Sequence, residues 1–201
     1  MTDGVPTSSI PQPGPAVPRR GNRLSQRLCA ALLGVFGWRF EGEVPDRRQL
    51  VIVAAPHTSN WDFVIGMAGV FALGLDLHWM GKHTLFRPPF GGVMRWLGGL
   101  PIDRRSAHGV VEQMAAEFVR RQSLWLVITP EGTRSKVTRW KTGFWHIARD
   151  AGVPIFLAGL DYRRRRLVLG PLWHPGDSLD EDLAGIRAHY HGLTPRHPER
   201  F

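Results

Sequence analysis

One cysteine, two tyrosines and almost no lysine mark this 201-residue chain by what it lacks. With Cys29 alone, no intramolecular disulfide can form and no cysteine pair exists to hold a metal. Cys29 sits in an apolar run, so it reads as a small core or membrane-facing residue rather than a nucleophile. No run of about 20 apolar residues occurs, and no transmembrane span is expected. Residues 1–22 are rich in proline, glycine and serine and carry no apolar h-region, which predicts a disordered tail rather than a signal peptide. A Gly-x-Ser-x-Gly nucleophile elbow is missing, as are the Gly-x-Gly-x-x-Gly fingerprint and the phosphate loop. The nine histidines show no metal-ligand spacing. His189 and His191, two apart near the C-terminus, are expected to be solvated. No metal and no bound cofactor is predicted.

What the chain has in excess is positive charge, +9 overall and nearly all from arginine. Nucleic acid, an anionic membrane surface and anionic substrates are the three partners such a balance allows, although a GC-rich genome also enriches arginine. The run Arg163-Arg164-Arg165-Arg166 has no interleaved aromatics for base stacking. It reads as a solvated turn or a patch touching lipid headgroups.

A chain of this length and 43% apolar content is one domain with a substantial core. Residues 23–38 form a short amphipathic helix candidate, flanked by Arg19, Arg20, Arg23 and Arg27 and closed by Phe36 and Trp38. Cations for headgroups and aromatics at a boundary predict an interfacial anchor on an anionic membrane; the other reading is a helix packed on the domain itself. From 39 onward, strands are predicted near 39–43, 50–55, 77–81, 99–103, 124–129, 154–160 and 166–170. Helices are predicted near 61–74, 89–97, 107–121, 140–150 and 179–190. The alternation argues an α/β fold, a largely parallel sheet flanked by helices.

Two strand ends carry the chemistry. Leu50-Val51-Ile52-Val53 runs into Ala54-Ala55-Pro56-His57-Thr58-Ser59-Asn60-Trp61-Asp62. A neutral imidazole takes a proton from a hydroxyl near pH 7, and a carboxylate beside it fixes the tautomer and stabilises the imidazolium. The His57–Asp62 spacing does not stack both on one helix face. It requires His57 on the loop and Asp62 in the first helical turn. Thr58 and Ser59 suit the helix cap, and Trp61 suits packing. Leu124 to Thr129 is a second buried strand, followed by Pro130-Glu131-Gly132-Thr133-Arg134-Ser135. Sites in open α/β sheets form at the carboxyl ends of strands. Here those ends bear His57, Lys82, Arg104 and Glu131. Lys82 adds positive potential there or is a solvated charge, and Lys141 is similar.

The His-x-x-x-x-Asp pair and the later Pro-Glu-Gly-Thr-Arg-Ser block resemble the glycerolipid acyltransferase family. The segments Lys82–Arg104, Trp140–Phe144 and Gly152–Ile155 resemble its remaining blocks, in the family's order, so the resemblance covers roughly 38–175. It implies an acyltransferase domain at 39–201, with His57 and Asp62 as a general-base pair and direct attack by the acceptor. It also implies that Arg104 and Arg134 hold the acceptor's phosphate while Glu131 and Gly132 shape the turn, with Thr133 and Lys82 also on the substrate-binding side. Glu131, repelled by phosphate, would orient an arginine or a substrate hydroxyl, and Gly132 would supply a conformation barred to other residues. The co-substrates implied are acyl-CoA or acyl-ACP (acyl carrier protein) and a lysophospholipid acceptor such as 1-acyl-glycerol-3-phosphate. The expected location is peripheral, on the cytoplasmic face of the inner membrane. Leu100-Pro101-Ile102-Asp103-Arg104 and Phe156-Leu157-Ala158-Gly159 depart from the family pattern and keep open a different acceptor, an amino-acid lipid or a glycolipid. A basic nucleic-acid-binding protein would explain the charge but none of these blocks.

Overall fold

The computed structural model describes residues 10–102 and 107–201. Seven strands build one sheet: β1 (Arg39–Gly42), β2 (Gln49–Ala54), β3 (His78–Lys82), β4 (Gly99–Ile102), β5 (Leu124–Ile128), β6 (Ile155–Asp161) and β7 (Arg166–Trp173). Their order is β1-β7-β6-β2-β5-β3-β4. Every pairing is parallel except β6–β7, where the short turn Tyr162–Arg165 leaves no room for a crossover. The helices are α1 (Arg23–Val35), α2 (Asn60–Leu73), α3 (Gly91–Trp96), α4 (Ala107–Arg120), α5 (Gly143–Ala151) and α6 (Leu179–Tyr190).

The unbroken apolar run of β2 follows from its central place, because a parallel strand covered on both sides needs apolar residues at every position. Leu50 and Ile52 meet Trp125, Phe156 and Leu73 on one face. Val51 and Val53 meet Leu126, Ile155, Phe144 and Ile147 on the other. The predicted α/β fold is therefore the one observed. Boundaries moved by a few residues: the helix expected from 140 starts at Gly143, and the last strand runs on to Trp173.

Three expectations need correction. Of the tail expected at 1–22, residues 10–22 are laid on the domain. Val17 is buried in the core beside Leu75, the Arg20 N–H donates to the Gly74 carbonyl, and the Asp76 N–H donates to the Pro18 carbonyl. Composition pointed to disorder, but one apolar anchor and these backbone bonds tie the stretch down. His189 is not solvated: it lies edge-on to Tyr190, burial lowers its pKa, and its Nε2 is buried without a hydrogen-bond partner. Trp61 is half exposed rather than packed.

The helix α1, within residues 23–38, packs on the domain with one side and leaves the other exposed. On one side of α1, Leu33, Cys29 and Ala30 pack with Ala72 and Ile65 of α2. On the other, Leu24, Leu28, Leu32 and Val35 form an exposed apolar stripe, with Val35 81% exposed. No helix among the described residues is long and apolar enough to cross a membrane. The arginine run is the β6–β7 turn, and much of its charge is spent internally. Arg164 pairs with Asp161 at 2.6 Å and with Glu41 at 3.0 Å, and Arg165 donates to the Phe36 carbonyl at 3.0 Å.

Candidate active site

The loop between β2 and α2 is shaped by a helix cap. Ser59 is the N-cap residue and Asp62, three residues on, completes a reciprocal capping box. Asp62 Oδ2 accepts the Thr58 and Ser59 N–H groups, each at 2.8 Å. The same oxygen lies 3.2 Å from His57 Nδ1. The His-x-x-x-x-Asp spacing is thus the spacing of a cap with one ring added two residues before it. With Asp62 ionised, Nδ1 carries the proton and Nε2 is left as the acceptor of the ring.

Asp62 is 8% exposed, and its Oδ1 accepts the Tyr162 hydroxyl at 2.5 Å. Burial pushes the carboxyl pKa up. Hydrogen bonds from His57, Tyr162, Ser59 and Thr58 outweigh burial, leaving it below its ordinary value and ionised at neutral pH. The Tyr162 hydroxyl is pushed far up by burial and by that same carboxylate, so it stays a donor.

The Pro130–Ser135 turn meets this loop from β5. Glu131 is 5% exposed, and its Oε1 accepts the His57 N–H at 3.0 Å. Its Oε2 is buried without a partner, and burial raises the pKa of the group. No arginine bonds it among the described residues; its contact is the loop that carries His57. Gly132 has φ +64°, the left-handed conformation expected of it, and a Cβ there would come 2.7 Å from Lys141 Nζ.

These loops adjoin a cavity of about 1110 Å³, slightly larger than the usual range for a small-molecule site. His57, Asp62, Gly132 and Lys141 line it together. From them its lining runs past Met67, Val70, Leu77 and Phe156 beside α2, and also past Val110, Phe144 and Ile147 of α4 and α5 on the other face of the sheet. Lys141, read from sequence as either added positive potential at the rim or a solvated charge, stands at this wall. Lys82, at the end of β3, and Thr133 and Arg134, beyond Gly132, are exposed and do not line the cavity. Arg104 lies outside the described residues. The structure thus joins His57, Asp62, Glu131 and Gly132 into one constellation and leaves Lys82, Thr133 and Arg134 outside its inner wall.

Sequence reasoning missed Tyr162. The signal was the sheet register: β2 pairs with β6 through Ala54 and Ala158, so the chain leaving β6 emerges beside the loop leaving β2, and the Tyr162 hydroxyl reaches Asp62. That pairing joins strands about 100 residues apart and is invisible without the strand order.

Residues 38–158, which include every one of these groups except Tyr162, match the Acyltransferase family. The chain is 33% identical over 176 residues to the 1-acyl-sn-glycerol-3-phosphate acyltransferase of Escherichia coli K12, a match covering 82% of this chain and 69% of that one. It is 32% identical over 139 residues to the enzyme of the same name from Haemophilus influenzae, covering 64% of this chain and 56% of that one. The crystal structure of the 1-acyl-sn-glycerophosphate acyltransferase from Thermotoga maritima shares the fold. It aligns with a TM-score of 0.56 at 18% identity, over 86% of this chain and 81% of that one. A histidine–carboxylate pair at the mouth of an apolar cavity, on this sheet and with these relatives, places the chain in one group: it belongs to the Acyltransferase family.

Proposed function

We propose that this enzyme moves a fatty acyl group from acyl-CoA or acyl-ACP to the free hydroxyl of a lysophospholipid, 1-acyl-glycerol-3-phosphate above all. The observation that carries the reading is the His57 Nδ1–Asp62 Oδ2 contact of 3.2 Å at the mouth of the large apolar cavity. The acyl chain lies in that cavity, with its thioester carbonyl beside His57. His57 Nε2 takes the proton of the acceptor hydroxyl as its oxygen attacks the carbonyl carbon. The tetrahedral intermediate collapses, the carbon–sulfur bond breaks, and the departing thiolate takes the proton back from the imidazolium. Asp62 stabilises that imidazolium, and general-base assistance of this kind contributes ~10²–10⁴-fold. No acyl-enzyme is required. Cys29 is half-buried against α2, and burial raises its thiol pKa.

The acceptor's phosphate meets a guanidinium, whose planar fork suits it. Arg134 fills this role from the loop after β5, with Arg104 beside it in the reading from sequence. Lys141, next to Gly132, adds a point charge at the cavity wall. The enzyme works at a membrane as a peripheral protein on the cytoplasmic face. The exposed stripe Leu24, Leu28, Val35 of α1 and the exposed Trp61, Phe90 and Trp96 supply the apolar contact. Arg19, Arg20, Arg23 and Arg27 add about 1 kcal/mol each near anionic lipid.

Thiol release from palmitoyl-CoA, with lysophosphatidate against its dephosphorylated monoacylglycerol, tests the reading. The phosphorylated acceptor is used far better, and Arg134→Ala loses most of that preference through a raised acceptor KM, ~10- to 150-fold. Equal use of both acceptors by the wild type would show that the arginines are not a phosphate site.

A further inference from the structure

The C-terminal segment carries none of the family's blocks, yet it is built onto the catalytic loop. The His197 N–H donates to Thr58 Oγ1 at 3.2 Å, and Arg200 Nη1 donates to the Thr58 carbonyl at 3.4 Å. The Tyr162 N–H donates to the Thr194 carbonyl at 2.8 Å. Leu193 is buried in the core on one side of these contacts. The Arg196 guanidinium lies 5.5 Å over the Trp61 ring and 5.9 Å over the Tyr162 ring. Trp38 closes the other side of Tyr162, edge-on at 5.1 Å. One phenol is thus held by an indole, a guanidinium and a backbone bond, with its hydroxyl aimed at Asp62 Oδ1.

We propose that Tyr162 is a positioning residue for acyl transfer: braced by Arg196 of the C-terminal segment, it holds the Asp62 carboxylate and sets how tightly the His57–Asp62 pair keeps its proton. The argument is one of shared charge. A carboxylate has a limited capacity to accept hydrogen bonds. Asp62 spends Oδ2 on two backbone N–H groups and the imidazole, and Oδ1 on the phenol. A strong donor on Oδ1 draws negative charge away from Oδ2 and weakens its hold on the imidazolium. The base then releases its proton to the leaving thiolate more readily. The bond also fixes the carboxylate plane, so that Oδ2 faces His57. Arg196 acts on the same pair twice, by holding the ring and by adding positive charge beside it. The other charged or titratable groups facing the pair are Glu131 at the end of β5, Lys141 on the cavity wall, and His197 and Arg200 of the C-terminal segment. None of these changes in the variants below.

The reading rests on His57 as the base, so His57→Ala is assayed alongside. Tyr162→Phe removes the hydroxyl and keeps the ring between Trp38 and Arg196. Its kcat is expected to fall about 10-fold, with both KM values within about twofold. The acid limb of the kcat/KM profile is expected to move to higher pH by about half a unit or more, because the unshared carboxylate holds the imidazolium longer. Arg196→Ala moves the limb the same way and Arg196→Lys restores part of the shift. Thermal unfolding, recorded for each variant, verifies that the fold is kept. A purely packing role predicts lower activity with the acid limb unmoved, and that result overturns the proposal. So does a Tyr162→Phe enzyme with the wild-type rate and profile. If His57→Ala is inactive in either case, the general-base reading survives and only the brace fails. An active His57→Ala removes the base itself and the proposal with it.

Discussion

Replacing Asp62 separates its two tasks, because asparagine keeps one and alanine keeps neither. In Asp62→Asn the amide oxygen can take the place of Oδ2, accepting from Thr58, Ser59 and His57. The amide nitrogen then takes the place of Oδ1 and donates to the Tyr162 oxygen, which accepts as well as donates. The cap survives and the charge is lost. At 3.2 Å and an effective dielectric of about 20, a full imidazolium–carboxylate pair gains about 5 kcal/mol. A transition state in which the proton is half transferred uses about half of that, so kcat falls ~30- to 150-fold while acceptor and donor KM values stay close to wild type. In Asp62→Ala the Thr58 and Ser59 N–H groups and the Tyr162 hydroxyl all lose their acceptor. At ~1 kcal/mol for each stranded donor, Tm drops by about 6–12 °C for a domain of this size. The assay is steady-state thiol release with thermal melts of all three proteins. An Asp62→Asn enzyme retaining more than half the wild-type kcat would refute the electrostatic role. An Asp62→Ala protein melting with the wild type would refute the cap.

Glu131 offers a pH-dependent counterpart. Burial raises its folded pKa above the unfolded one, so its stabilising contribution is present below the unfolded pKa and lost as pH rises through the folded value. Glu131→Gln keeps an acceptor for the His57 N–H and removes the buried charge. It is expected to melt above wild type at pH 8, with the gap closing by pH 4; a gap independent of pH contradicts the reasoning. On α1, Leu28→Glu with Val35→Glu alters only the outer stripe. The pair should leave Tm and turnover of soluble substrate unchanged and sharply reduce co-sedimentation with anionic liposomes, whereas unchanged sedimentation moves the lipid contact elsewhere on the protein.

Much of this was legible from the chain alone, for physical reasons. The central strands could be read because burial on both faces leaves an unbroken apolar run such as Leu50–Val53. The rim could be read because parallel strands deliver their following loops to one edge, which is how His57 and Glu131 were expected together. What stayed hidden depends on partners distant in sequence. Tyr162 sits beside an arginine run that drew attention to itself, and nothing local announces a phenol aimed at Asp62. Glu131 was expected to orient an arginine or a substrate hydroxyl, and only the β2–β5 pairing shows it buried under the His57 backbone. Val17 was lost in a proline-rich context, where composition outweighs one apolar side chain.

The register of the sheet also decides where this chain can change length. Val53 pairs with Ile128 and Ala54 with Ala158, and His57, Glu131 and Tyr162 follow a few residues beyond. One residue inserted within β2 carries the His57 loop forward by about 3.3 Å relative to its neighbours. That exceeds the tolerance of the 3.0 Å bond to Glu131, and it turns Val51 and Val53 toward the wrong layer. An insertion in the 43–48 loop, at the opposite edge of the sheet, leaves that bond as it is. Tags, linkers and added segments therefore belong at that edge, while the strands themselves admit substitution but no change in count.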